Sequence, residues 1–217
     1  MILWVAKLAT KAVGASNVYI ATDDKRIENT VNKYGFQSII TSKNLLTGTD
    51  RVAEAAEKLD YDIVVNLQGD EPLVKANDII RAIEYKKKYS KSIINSYSFI
   101  SKNEDPSNRN IPKVITNEND DLVYISRAKV PLSKDINKVE IEYKKQVCIY
   151  SYSIQQLRLF HEFGRKSTIE SIEDIEILRF FELGINIKMF KTQSPSLAVD
   201  VLSDIPIVES ALLDENK

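Results

Sequence analysis

Apolar residues recur along this chain with two periods, one helical and one strand-like, and the two alternate. At the N-terminus Leu3, Val5, Leu8, Ala9 and Ala12 suit the apolar stripe of an amphipathic helix, with Gly14 placed to stop it. The run over 17–22 predicts a buried strand, 24–34 a helix ending at Gly35, and 37–41 a second strand. A polar loop follows around Asn44 to Thr49, then a helix over 50–59, a strong strand over 61–68 and a helix over 76–88. Strand–helix alternation of this kind favours a mostly parallel sheet covered on both faces, because each crossover has to pass over the sheet.

The pattern changes after residue 93. Residues 93–100, 112–117 and 121–126 read as strands separated by polar turns at Asn103 to Asn110 and Asn117 to Asp121. This predicts an antiparallel excursion over 93–145 inside a single domain spanning 1–217. Residues 128–142 are charged and irregular. A strand over 146–153, a helix over 171–183 and strands over 185–190 and 196–201 follow. Gly184 marks a helix end. The closing helix is predicted over 204–214, with Ser203 and Asp204 as cap and first-turn acid.

Composition narrows the class. A chain of 217 residues can bury one sizeable α/β core. A formal net charge of -1 gives no basic face for nucleic acid and no acidic tail. No apolar run approaches the ~20 residues that span a bilayer, and Lys7 and Lys11 interrupt the only stretch resembling a signal peptide. Cys148 is the single cysteine, so no internal disulfide forms, which fits a reducing cytoplasm.

Four segments carry candidate chemistry. In Val64-Val65-Asn66-Leu67-Gln68-Gly69-Asp70-Glu71-Pro72 an apolar strand ends and an aspartate follows, just beyond the carboxyl end of the strand, where open α/β sheets bind ligands. Asp70 is placed either to hold a hard cation such as Mg²⁺ or to sit in a plain polar turn. Ser196-Leu197-Ala198-Val199-Asp200 repeats the design; brought together, the two carboxylates would hold one Mg²⁺ against a triphosphate. Thr47-Gly48-Thr49-Asp50-Arg51 offers a turn, hydroxyls and a guanidinium to an oxygen-rich ligand, or a helix cap at Asp50. Ala21-Thr22-Asp23-Asp24 reads foremost as a strand end with Asp24 as N-cap. His161 reads as a solvent-exposed side chain after a short helix, Cys148 as a small buried one and Trp4 as core packing.

Together the segments resemble the 3-deoxy-manno-octulosonate (Kdo) cytidylyltransferase family, CMP-Kdo synthetase. The resemblance runs through VYIATDDKRI at 18–27, TGTDRVAEAAEKL at 47–59, DIVVNLQGDEPLV at 62–74 and VYISRAKVP at 123–131. It continues through QVCIYSYS at 146–153, IESIEDIEILRFFELGINIKM at 169–189 and AVDVLSD at 198–204. It implies an α/β nucleotide-diphospho-sugar transferase fold: a mostly parallel or mixed sheet flanked by helices, with a small antiparallel dimerisation extension. It also implies transfer of the cytidylyl group of CTP to Kdo with Mg²⁺, in a cytoplasmic homodimer serving lipopolysaccharide synthesis.

By position, Asp70 and Asp200 match the family's catalytic, metal-binding aspartates. Arg51, Gln68, Arg127, Tyr150 and Glu170 match substrate positions, and Gly48 and Thr49 lie in the loop implied to bind the nucleotide. No membrane or nucleic-acid partner is expected.

The sequence departs from the family at its start and at Lys129, Gln146, Cys148 and Ser151. Met1 aligns just after the family's Gly/Ser/Arg/Lys-rich loop, so the expectation is impaired triphosphate binding. Gln146 stands where many relatives have His, and Cys148 and Ser151 where many have Gly. These changes leave open another sugar acid, a Kdo variant or an acylneuraminate, and also a truncated remnant that still dimerises.

Overall fold

The elements follow the chain as α1 (Ile2–Val13), β1 (Tyr19–Thr22), α2 (Lys25–Lys33), β2 (Gln37–Ile40), α3 (Gly48–Ala56), β3 (Ile63–Leu67), α4 (Ala76–Lys88), β4 (Ile93–Phe99), β5 (Lys113–Thr116), β6 (Leu122–Ser126), β7 (Lys144–Ser153), α5 (Ile154–Glu162), α6 (Thr168–Glu173), α7 (Leu178–Glu182), β8 (Ile187–Lys191) and α8 (Asp204–Glu215). The structure is a computed structural model that describes residues 1–102, 104–135, 140–193, 197–199, 201–202 and 204–215.

The described strands form two sheets. β1 and β2 pair in parallel, Tyr19 opposite Gln37. A six-stranded mixed sheet runs β6-β5-β7-β4-β8, with β3 also paired to β7. β4 and β8 are parallel; β3, β4 and β5 all run antiparallel to β7. β7 is long enough to carry β4 along one edge and two strands on the other. There β3 covers residues 149–153, while β5 covers Lys144 and Lys145.

Alternation along β7 sorts its side chains between two cores. Val147 and Ile149 point to the side where Ile79 and Ala82 of α4 pack, joined by Ala9, Ala12 and Val13 of α1. Tyr150 and Tyr152 point the other way, to Leu157, Phe160, Leu178 and Phe180. On that side the rings form a ladder: Tyr150–Tyr152 at 6.0 Å, Tyr152–Phe180 at 5.4 Å and Phe160–Phe180 at 4.6 Å between centroids.

Several expectations change against this fold. Strand 17–22 begins only at Tyr19, after a 3₁₀ turn at Ala15–Asn17. Helix 50–59 starts earlier, at Gly48, and its cap is Thr47, whose hydroxyl accepts the Asp50 N–H. Asp50 is instead inside the helix and buried. The excursion over 93–145 is divided: β4 lies in the middle of the main sheet, and β5 and β6 form the antiparallel hairpin. Trp4 is 43% exposed and does not pack in the core, because α1 turns Val5 and Ala6 inward.

The helix over 171–183 is two helices. Asp174 takes φ 50 and ψ 50, the left-handed conformation, and ends α6; Ile175 and Glu176 then leave the helical path before α7 begins. Residues 197–199 are not strand, and Ser196, Asp200 and Ser203 lie outside the described residues.

Candidate active site

The site forms where one edge of β7 is left uncovered. β3 ends at Leu67 and β5 begins at Lys113, and between them, on this edge, no strand of the described residues pairs with the Gln146–Cys148 stretch. Loops reach in from both sides: Gln68 N–H donates to Cys148 O at 3.3 Å, and Gln146 N–H to Pro112 O at 3.0 Å. A cleft of about 800 Å³ opens here, lined by Gln68, Asp70, Arg127, Gln146, Cys148, Tyr150 and Glu176 among others.

Asp70 follows β3 by three residues. Its Oδ1 is buried and has no hydrogen-bond partner among the described residues. Desolvation therefore raises its carboxyl above the ordinary range, against the pull of a backbone hydrogen bond. Its carbonyl accepts the Val199 N–H at 3.0 Å, which draws the chain next to Asp200 against the tip of β3. Asp200 itself lies outside the described residues. Glu71, also in the cleft wall, accepts the Cys148 N–H at 2.9 Å.

The period-three repeat Ile-Glu at 169–176 supplies three carboxylates with three different tasks. Glu170 is buried and meets Arg179 through two 2.7 Å hydrogen bonds; it also accepts the Ser167 N–H. It does not line the cleft, so the expectation that Glu170 reads the sugar is corrected: both its oxygens are occupied inside the core. Glu173 accepts from the Ser126 hydroxyl at 2.6 Å, the Tyr124 hydroxyl at 3.2 Å and the Arg127 N–H at 2.9 Å. Burial opposes its ionisation, but these donors outweigh it and hold its carboxyl below the ordinary value.

Glu176 reaches the cleft. Its carboxylate accepts the Gly48 N–H at 3.0 Å, the Thr49 N–H at 2.8 Å and the Thr49 hydroxyl at 2.5 Å. The amino end of α3, where an anion is favoured, is thus occupied by the protein's own carboxylate. The N–H groups of Gly48 and Thr49 are turned to Glu176 here. A Cβ at position 48 would lie 3.3 Å from Glu176 Oε1, so glycine is what permits the close approach.

Arg51 is elsewhere. Its Nη1 donates to the Thr41 hydroxyl at 2.6 Å and pairs with Asp23 at 3.2 Å, just past the ends of β2 and β1, and it does not line the cleft. Arg127 does line it. Its guanidinium donates to the carbonyls of Glu173, Arg109 and Asp174 at 2.5, 2.9 and 2.9 Å. These acceptors are neutral, so the charge is not cancelled by a directly bound carboxylate, and one N–H on each Nη remains. Lys113 anchors the same wall: its buried ammonium donates to the carbonyls of Asn108, Ile111 and Arg127.

Tyr150 and Gln68 also sit on the cleft. Cys148, expected as a small buried side chain, is half-buried and lines the cleft. His161 is in the last turn of α5, 40% exposed, with Nδ1 3.2 Å from Asp50 Oδ1, so it is neither free nor fully solvated.

The cleft is acidic. Among its described lining residues are seven carboxylates and two cationic side chains, Arg127 and Lys145, and Lys145 is paired with Glu104. An anionic substrate would meet a repulsive field unless a divalent cation screened it. Among the described residues no cluster of three His, Cys, Asp or Glu stands ready to hold a metal.

Glu176, Glu173 and Glu71 are the residues that sequence reasoning passed over. The available signal was the Ile-Glu repeat, whose period of three is out of step with a 3.6-residue helix.

The sequence signature described as Cytidylyltransferase matches residues 1–189. The chain is 37% identical over 208 residues to the 3-deoxy-manno-octulosonate cytidylyltransferase of Thermodesulfovibrio yellowstonii, covering 90% of this chain and 81% of that protein. It is 34% identical to the protein of the same name in Fusobacterium nucleatum, covering 100% and 87%. Among solved structures, CMP:2-keto-3-deoxy-manno-octonic acid synthetase complexed with CTP superposes with a TM-score of 0.88 at 30% identity, covering 99% of this chain and 88% of that one. A Bacillus anthracis structure described as a putative glucose-1-phosphate thymidylyltransferase shares the fold alone, at TM-score 0.68 and 11% identity, covering 97% of this chain and 81% of that one.

Proposed function

We infer the reaction of this chain from its family: it belongs to the 3-deoxy-manno-octulosonate cytidylyltransferases. It transfers the cytidylyl group of CTP to Kdo, giving CMP-Kdo and pyrophosphate. The observation that carries this reading onto the structure is Asp70, a carboxylate at a strand tip on the cleft, with a buried oxygen that has no partner among the described residues.

In the reaction the anomeric hydroxyl of the sugar attacks the α-phosphorus of CTP. An O–P bond forms, the P–O bond to the β-phosphate breaks, pyrophosphate leaves and the hydroxyl proton is released. No covalent enzyme intermediate is needed. Mg²⁺, when bound, neutralises phosphate charge and stabilises the leaving group. Asp70 fits such an ion, since its Oδ1 has no hydrogen-bond partner among the described residues, and the Val199 N–H meets its carbonyl at the same strand tip. Asp70 and Asp200 are the proposed ligands.

Arg127 is the proposed partner of the sugar's carboxylate. Two N–H groups, one on each Nη, remain after its three carbonyl contacts, and a guanidinium takes a carboxylate best through two parallel hydrogen bonds. Arg51, already paired with Asp23, is less suited. Gln68, Tyr150 and Glu176 line the remaining wall, where amide, hydroxyl and carboxylate match sugar hydroxyls.

We also propose a homodimer, working in the cytoplasm to supply lipopolysaccharide assembly. Among the described residues no helix is long and apolar enough to cross a membrane. Light scattering at micromolar concentration tests the dimer.

Pyrophosphate release tests the reaction: with CTP, Mg²⁺ and Kdo it is expected, and with N-acetylneuraminate in place of Kdo it is not. Release only with the acylneuraminate would transfer the chain to a different sugar acid.

A further inference from the structure

β4 and β7 slip out of register at one point. Asn95 opposes Tyr150, yet the next residue of β4, Ser96, opposes Val147, so Cys148 and Ile149 have no partner along β4. Bulges gather beside functional sites because they re-aim side chains and free backbone groups. Two extra residues leave the alternation of faces intact, and Gln146, Cys148 and Tyr150 all reach the cleft.

Asn95, fully buried, spends both amide protons on carbonyls beside the bulge: Nδ2 donates to Val147 O at 3.0 Å and to Ile149 O at 2.9 Å. Only its oxygen remains for a neighbour, and Oδ1 accepts from Gln146 Nε2 at 3.0 Å. The second Nε2 proton goes to the Tyr150 hydroxyl at 3.2 Å. Tyr150 in turn directs its own proton to Cys148 Sγ at 3.6 Å. The direction of this relay is set from its buried end, because turning the Gln146 amide over would place two acceptors, Gln146 Oε1 and Asn95 Oδ1, against each other. Gln146 Oε1 accepts nothing among the described residues.

We propose that Gln146 is a specificity-determining residue: held by Asn95 and Tyr150, its carboxamide presents an oxygen, and no donor, to the cleft, and so selects a sugar acid that offers a hydroxyl proton there. The inference rests on the reading of the cleft as the sugar-acid site and names how that site discriminates. Tyr150 reinforces it, because its proton is already directed to Cys148 and only a lone pair is left for a ligand. A substrate lacking the matching hydroxyl leaves Oε1 desolvated and unpaired, and polar sites reject their deoxy analogues for this reason.

The test is calorimetric titration of the full chain, with Mg²⁺ and a non-hydrolysable CTP analogue present. The ligands are Kdo, N-acetylneuraminate and singly deoxygenated analogues of each; the proteins are wild type, Gln146→Met and Gln146→Glu. Gln146→Met keeps the side-chain length and removes hydrogen bonding. Gln146→Glu keeps an oxygen but loses the proton donated to Asn95 and Tyr150. In wild type, one deoxy analogue of Kdo is expected to bind about three- to tenfold more weakly than Kdo, the worth of one neutral hydrogen bond. In both variants that difference is expected to vanish, while a cooperative thermal transition, at a lower midpoint because Asn95 Oδ1 loses its donor, shows that the fold is intact.

Discrimination that survives in Gln146→Met would overturn the role of Gln146 while Kdo binding kept the reaction assignment. Survival in Gln146→Glu alone would overturn the positioning by Asn95 and Tyr150. If N-acetylneuraminate bound instead of Kdo, with the same Gln146-dependent discrimination, the role would stand and the Kdo assignment would fall. Binding of neither sugar acid would remove both.

Discussion

Glu176 closes the amino end of α3 through Thr49, taking its backbone N–H at 2.8 Å and its hydroxyl at 2.5 Å. The two residues are far apart along the chain, and their meeting ties the wall of the cleft to the helix beneath it. Hydrogen bonds to a charged group are typically worth ~1.5–3 kcal/mol, and an anion at a helix N-terminus adds a smaller favourable term. Glu176→Ala is therefore expected to lower stability to urea by about 2 kcal/mol. Thr49→Val, which keeps the N–H, should lose less than Glu176→Ala. Equal losses, or none, in the urea midpoints would show that the contact does not hold the helix end.

Asp70 has a buried oxygen without a partner among the described residues, and the proposed role leaves that oxygen for a metal. Asp70→Asn keeps the shape and removes the charge. Removing a group that stabilises transition-state charge costs on the order of 100-fold or more in kcat. A fall of at least that size in pyrophosphate release is expected, together with loss of Mg²⁺-dependent CTP binding by calorimetry. A variant that kept both within about twofold would take Asp70 out of the metal site.

Arg179 is fully buried and bridges Glu170 and Asp50, with its guanidinium 3.7 Å above the Phe160 ring. Removing one partner of a buried ion pair leaves uncompensated charge and typically costs ~3–5 kcal/mol. Arg179→Met is expected to lose about that much in denaturant unfolding. Adding Glu170→Gln and Asp50→Asn to Arg179→Met should restore part of it. If the single variant unfolded at the wild-type midpoint, the network would be structurally idle.

Lys86 is buried and donates to the carbonyls of Ser90 and Ser92 and to Gln156 Oε1, tying α4 to the capping box of α5. Burial lowers its pKa from 10.5 to about 8. Between those values the unfolded chain binds more protons at this site than the folded one. The contribution of Lys86 to stability therefore rises as pH increases from about 8 to 10.5, by at most ~1.4 kcal/mol per pH unit. Other groups titrate in the same window, so the quantity to measure is the wild-type unfolding free energy minus that of Lys86→Met, stepwise from pH 7 to 10.5. A difference that stays flat or falls would contradict the burial argument.

Much of the fold was legible in local pattern. The helix over 76–88 is α4 with the expected bounds, because its apolar positions repeat at the helical period and nothing later in the chain competes for them. The strands β3, β7 and β8 were legible as short apolar runs between turns. The family was legible too, since motifs such as GTDR and LQGDEP in a fixed order are specific without any knowledge of where they meet.

What local pattern misjudged has a common cause. The helix expected over 171–183 breaks at Asp174. The break lets three glutamates satisfy buried partners on separate elements: Arg179 for Glu170, the 124–127 segment for Glu173 and α3 for Glu176. Arg51 and Glu170 were assigned to the sugar by alignment of position, but a charged side chain goes to whichever counter-charge the fold brings within reach, here Asp23 and Arg179. Sequence by itself therefore determined the elements, the family and the short-range chemistry of its motifs. The tertiary structure alone decided which strand edge stayed open, which carboxylates face solvent and which way the Gln146 amide points, because pairing energies depend on distance and desolvation across the fold.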